Sequence, residues 1–118
     1  YREGLYELII RMSDLMINRR RYSLYINILE KVLKDFDKEQ YEDYYARLLL
    51  TYGRHLWAVK RFEVAIPVLL KAEIIFEKIG QYRNLSQTLN TLGVCYAESN
   101  SDLYKAREYF EKTLSISQ

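Results

Sequence analysis

The chain has 118 residues, 49% of them hydrophobic and 29% charged, with a formal net charge of +2. That length suits one domain, and so small a charge argues against a nucleic-acid surface. One cysteine excludes an internal disulfide, which fits a reducing cytoplasmic setting, and no apolar stretch approaches a membrane span. The first residue is Tyr1, not Met, and no signal-peptide pattern opens the chain. The expectation is a piece of a longer protein.

With one proline and four glycines, the long segments read as helix. From Glu7 to Arg19, Leu8, Ile9, Met12, Leu15 and Met16 form a helical stripe. Arg19, Arg20 and Arg21 interrupt it and read as a solvated turn. Tyr25, Ile28, Leu29 and Val32 mark a second helix ending near Asp37. A third spans Tyr41 to Val59, with Tyr45, Leu48, Leu49, Tyr52 and Leu56 inward. Asp43 and its acidic neighbours at its start suit the helix dipole. A fourth runs from about Phe62 to Ile79 through Ala65, Ile66, Leu69, Ala72 and Phe76, and Gly80 stops it. Pro67 falls near its start, where a missing N–H costs little. A fifth spans Tyr82 to Glu98. Asp102 then caps a sixth, Leu103 to about Ile116. The fold class is all-α, six helices in three antiparallel pairs.

An internal repeat organises these pairs. Ser13, Gly53 and Gly93 lie 40 residues apart, and each sits in the same frame of apolar residues. Four before them come Ile9, Leu49 and Leu89, and three after come Met16, Leu56 and Tyr96. Later in the first two units come Tyr25 and Ala65, Leu29 and Leu69, Val32 and Ala72. A fixed period in this range means stacked helix pairs, each too small to bury its own face. The units run over about 6–45, 46–85 and 86–118 of a single domain.

The third unit contains Leu89-Asn90-Thr91-Leu92-Gly93-Val94-Cys95-Tyr96, followed by Ala106 and Phe110. This resembles the L-G-x2-Y core and second-helix positions of a tetratricopeptide repeat. The second unit matches through Gly53, Ala65, Leu69 and Ala72. The first departs, with Ser13 for glycine and bulky Tyr25 and Val32 for small residues, so looser packing is expected there. The period of 40 exceeds the family's usual 34, the extra residues falling around Gly80 to Leu85. The resemblance implies a right-handed superhelical stack whose first helices line a groove for a peptide or protein segment. Physics adds a reason for the mid-helix glycines. Each costs about 1 kcal/mol relative to alanine, understandable where the partner helix approaches closely, near Ala65 and Ala106.

Carried over position by position, the groove is lined by Glu7, Ile10, Asp14, Ile17 and Asn18, then Arg47, Leu50, Arg54, Trp57 and Ala58. The third unit adds Gln87, Asn90, Val94, Ala97 and Glu98. The contact set expected among them is Asp14, Asn18, Arg47, Arg54, Trp57, Gln87 and Asn90. Trp57 supplies a rigid plate, the arginines forked donors, and Asn90 an amide able to clamp an extended backbone. The carboxylate clamp of cochaperone repeats is not repeated, because its positions hold Ile10, Asp14, Thr51, Gln87 and Thr91. His55 and Cys95 occupy equivalent places with Leu15, which marks a packing position, not a metal site.

No nucleophile–histidine–acid set, phosphate loop or H-E-x-x-H motif occurs, so no enzyme and no cofactor are expected. The phrase Ile79-Gly80-Gln81-Tyr82-Arg83 before the third unit is similar to bacterial regulators whose repeat domain senses a peptide. The alternatives are an assembly scaffold or the regulatory domain of an enzyme. The last helix carries Tyr109, Phe110, Leu114 and Ile116 with nothing after it to cover them. Further repeats or a homodimer through that terminal unit are expected there.

Overall fold

The computed structural model describes residues 2–18 and 21–117, without the side chains of Asp14, Met16, Ile17, Asn18 and Ser117. Its six helices are α1 (Arg2–Asn18), α2 (Tyr22–Lys34), α3 (Glu42–Ala58), α4 (Phe62–Ile79), α5 (Tyr82–Glu98) and α6 (Leu103–Ser117). No strand occurs among the described residues. α3 and α5, the first helices of the second and third pairs, begin at Glu42 and Tyr82, the same interval of 40 that the glycines keep. The helices pair as α1–α2, α3–α4 and α5–α6, and successive pairs stack through α2 on α3 and α4 on α5.

Left-handed residues make the three short reversals. Lys60 (φ 66°), Gly80 (φ 75°) and Asn100 (φ 55°) follow α3, α4 and α5. Gly80 takes this conformation without steric cost and its helix ends there, as its place in the sequence implies. Asp102 accepts a hydrogen bond from the Lys105 N–H at 3.0 Å, the expected N-cap of α6. The N-caps of α2 to α5 (Arg21, Tyr41, Arg61 and Gln81) make no side-chain cap bond.

The close approach of paired helices is centred on the glycines. A methyl group on Gly53 would sit 2.5 Å from Leu69 Cδ2, and one on Gly93 would sit 2.7 Å from Phe110 Cε1. The residues that require glycine are thus Leu69 and Phe110, each large, rather than Ala65 and Ala106, which are themselves buried. In the first pair Ser13 takes this place. It is buried, and among the described residues its hydroxyl has no hydrogen-bond partner.

Burial divides into two clusters. The main one runs through α3 to α6 and reaches back to Ile26. The second gathers Tyr6, Ile9, Tyr25, Leu29 and Leu48 between the first two pairs. α1 rests more on α3 than on its own partner α2, in keeping with the departures of the first unit from the repeat pattern.

Several sequence expectations need correction. α1 starts at Arg2 rather than Glu7, and α2 ends at Lys34 rather than near Asp37. Leu8, Leu15 and Ile28 are exposed, while Tyr6 and Ile26 are buried. Pro67 lies beyond the free donors of α4, because the Ala65 N–H already bonds to the Arg61 carbonyl at 3.0 Å. Its missing N–H therefore leaves the Glu63 carbonyl without its helical donor, yet the helix runs on unbroken. At the C-terminal edge Tyr109 is buried and its ring stacks on Tyr96 at 5.7 Å, while Phe110 lies against Gly93. Of the four apolar residues expected to lie open in α6, only Leu114 is exposed.

Candidate functional site

The first helix of each pair faces a common trough, with α3 at its centre. Three adjoining depressions of about 180, 200 and 280 Å³ share one residue, Arg54. The first lies between α1 and α3 and reaches Gln87 and Asn84. It is lined by Ile10, Arg47 and Leu50 beside Arg54. The second holds Trp57, Asn90, Thr91 and Val94. The third joins Arg54 to Gln87, Asn90 and Thr91. Arg54 reaches all three because it lies one turn from both Leu50 and Trp57 on the same side of α3.

Arg47 is part of this wall and also a strut. Its Nη1 and Nη2 donate to Glu7 Oε2 and Oε1 at 3.1 and 3.2 Å. Glu7 and Arg47 hold equivalent places in successive units, so the pair bolts α1 to α3. Arg11 adds a third donor at 3.2 Å. The Arg47 hydrogen bond above all holds the Glu7 carboxyl below its usual value, against a smaller opposing effect of burial. The guanidinium also lies 5.4 Å from the centre of the Tyr44 ring.

Trp57 is tied in a similar way across the next joint. Its indole N–H donates to Glu98 Oε2, and Lys60 Nζ lies 3.7 Å from the same oxygen. Gln87 and Asn90 are exposed on α5. The Thr91 hydroxyl donates to the Gln87 carbonyl at 2.8 Å.

Five of the seven expected contact residues thus line one connected trough: Arg47, Arg54, Trp57, Gln87 and Asn90. Asp14 and Asn18 lie on α1, but their side chains fall outside the described residues. Ser13 and Asn84 also line the trough and were not expected there, while Thr51 lines it from one of the clamp positions. Asn84 comes from the stretch that lengthens the unit beyond 34 residues, so a map drawn on shorter repeats has no place for it. Its side-chain amide donates to Gln81 Oε1 at 2.7 Å.

His55 is fully buried, its Nδ1 2.9 Å from the Thr51 carbonyl and its ring 4.5 Å from Tyr25. Cys95 is buried as well, and burial pushes its thiol up to about 12. Among the described residues no three His, Cys, Asp or Glu side chains stand close enough to hold a metal ion. Of the arginine run, Arg19 and Arg20 lie outside the described residues, and Arg21 is exposed at the start of α2.

A family model described as tetratricopeptide repeat matches residues 44–118. The chain belongs to the tetratricopeptide repeat family. The match takes in α3 to α6 and stops short of the first pair, where Ser13, Tyr25 and Val32 depart from the pattern. Neither the curated proteins nor the solved structures include a match to this chain. Tetratricopeptide repeats are protein-interaction units, and the family is generally non-catalytic. No helix among the described residues is long and apolar enough to cross a membrane.

Proposed function

We propose that this domain is a non-catalytic module that holds an extended peptide or protein segment in the trough along α1, α3 and α5. The observation that carries this reading is the convergence of three depressions on Arg54, with an indole on one side and primary amides on the other. Arg54 selects a carboxylate in the segment, Trp57 packs an apolar side chain, and Gln87 and Asn90 take backbone groups. Asp14 and Asn18 of α1 belong to the proposed contact set. No cofactor, nucleic acid or membrane is part of this reading, and a cytoplasmic location fits it.

The same geometry favours a sensor of the kind found in bacterial transcriptional regulators over a passive scaffold. Glu7–Arg47 and Trp57–Glu98 fasten neighbouring pairs, and Arg47 and Trp57 also line the trough. A segment that competes for Arg47 or the indole N–H loosens a joint between pairs, so occupancy alters the curvature of the stack.

Native mass spectrometry of the chain with a set of short synthetic acidic peptides tests the binding reading. The expected result is a one-to-one adduct that is lost when Arg54→Ala and Trp57→Ala are combined, with helicity by circular dichroism unchanged. An adduct that survives in the folded double variant would place the binding surface elsewhere. For the sensor reading, small-angle scattering should change on saturation with the bound peptide, and an unchanged profile would leave a passive scaffold.

A further inference from the structure

A fourth depression, of about 600 Å³, is larger than any of the three in the trough and shares no residue with them. It lies mid-stack, between the start of α4 and the reversal from α5 to α6, so the second and third pairs bound it. Phe62, Ile66 and Pro67 form its apolar wall. Glu63, Glu98, Ser99 and Ser101 form its polar one. Its size falls in the range of sites that bury most of a small ligand.

The polar side chains of this depression have only lone pairs to offer. A hydroxyl carries one proton. The Ser99 hydroxyl donates to the Tyr96 carbonyl at 3.3 Å, so the 2.8 Å bond between Ser99 and Ser101 uses the Ser101 proton. Both protons are spent, and the carboxylates of Glu63 and Glu98 accept. Pro67 adds another acceptor, because it leaves the Glu63 carbonyl without its helical donor. No lining residue is basic, and Glu63 makes no ion pair among the described residues. Glu98 ends α5, where the helix dipole favours a cation, and Glu63 offsets the opposite end of the α4 dipole. The chain already shows how a cation is received here. Lys60 Nζ lies 3.7 Å from Glu98 Oε2 and 6.0 Å from the centre of the Phe62 ring. Lys60 is exposed, and an exposed pair of this kind is weak and readily exchanged.

We propose that this depression is a second binding site, which takes an arginine and an adjoining apolar side chain from a basic segment of a partner protein. The guanidinium replaces Lys60 against Glu98 and Phe62 and reaches Glu63, and the apolar side chain lies on Ile66 and Pro67. Arginine suits the site better than lysine, because its forked donors meet several acceptors at once. The trough takes an acidic segment and this site a basic one, so the two readings fail separately. The test is an amide proton–nitrogen NMR titration of the chain with capped alanine-serine hexapeptides that carry Arg-Leu, Gln-Leu or Glu-Leu at their centre. The expected result is saturable shifts at Phe62, Glu63, Ile66, Glu98, Ser99 and Ser101 with the Arg-Leu peptide. Affinity should be lower by about tenfold or more for the other two peptides, and for the Arg-Leu peptide when Glu63→Gln and Glu98→Gln are combined. Pro67→Ala separates recognition from folding. It restores the helical N–H, so its urea midpoint should rise while the Arg-Leu peptide binds more weakly. Absence of saturable shifts at these residues overturns the proposal, as does equal binding of the Gln-Leu peptide or unchanged affinity in the double variant. Shifts confined to Arg54, Trp57 and Asn90 would put the basic segment in the trough and overturn it too.

Discussion

Glu7 and Arg47, 40 residues apart at the same place in successive helix pairs, meet in a two-point ion pair that fastens α1 to α3. The repeat thus supplies the acid in one unit and the base in the next. The join strengthens the end of the molecule where α1 and α2 hold each other least.

Acid should weaken this join, with a sign that follows from the shift. The folded-state value of Glu7 lies below its ordinary 4.5, so its contribution is full above about pH 4.5 and is lost as pH falls through the depressed value. Glu73 works in the opposite sense. Burial raises it, so its penalty is present above its folded value and disappears on acidification. Urea midpoints measured against pH for Glu7→Gln and Glu73→Gln should diverge from the unaltered chain in opposite directions. Parallel curves for both variants would contradict the assigned shifts.

Crowding at the helix crossing should show directly. Gly53→Ala gains about 1 kcal/mol in helix propensity, yet its new methyl would lie 2.5 Å from the fully buried Leu69. The net result should be destabilisation of about 1–3 kcal/mol, and Gly53→Leu should cost more. Adding Leu69→Ala to Gly53→Ala should recover part of the loss, because it removes the colliding group. Urea unfolding of the single and double variants measures this coupling.

Two reversals offer opposite outcomes. Lys60 holds a left-handed conformation without being glycine, so Lys60→Gly should raise stability by about 0.5–1 kcal/mol. Its contact with Glu98 is exposed and offsets little. Asp102→Ala removes the only described N-cap side-chain bond of this kind and should cost about 1 kcal/mol. Thermal denaturation of the two variants should therefore move in opposite directions.

Cys95 provides a reporter. Its burial and a thiol pushed up to about 12 make it inert to thiol reagents in the folded chain at neutral pH. Labelling should proceed only through opening of the α5–α6 region and should accelerate in Gly93→Ala, which crowds Phe110. Rapid labelling of the native chain would contradict this packing.

The helices of the second and third pairs were legible because two signals coincide there. The glycine frame fixes where helices cross, and Gly80 and Asp102 mark ends that the structure keeps. The first pair was harder to read. Leu8 and Leu15 belong to an apolar arc that periodicity assigns to the core, yet both are exposed. Periodicity reports which face is apolar, not whether a neighbour sits on it. Tyr6 escaped notice because it lies just ahead of the stripe, and its ring packs 4.5 Å from Phe36. In the trough, Arg54 and Trp57 followed from position alone. The engagement of Arg47 by Glu7 did not, since it needs the distance between α1 and α3. Asn84 entered through residues that shorter repeats lack.

The turn between α5 and α6 has four residues, 99–102, where the turn between α3 and α4 has three, 59–61. Gly93 nevertheless faces Phe110 just as Gly53 faces Leu69. The added residue was absorbed in the reversal, and the crossing kept its register. One residue inserted within a helix would instead swing everything after it by about 100° and carry buried side chains toward water. Changes of length should therefore accumulate at the reversals, which makes those short segments the natural places to splice in an epitope or a label.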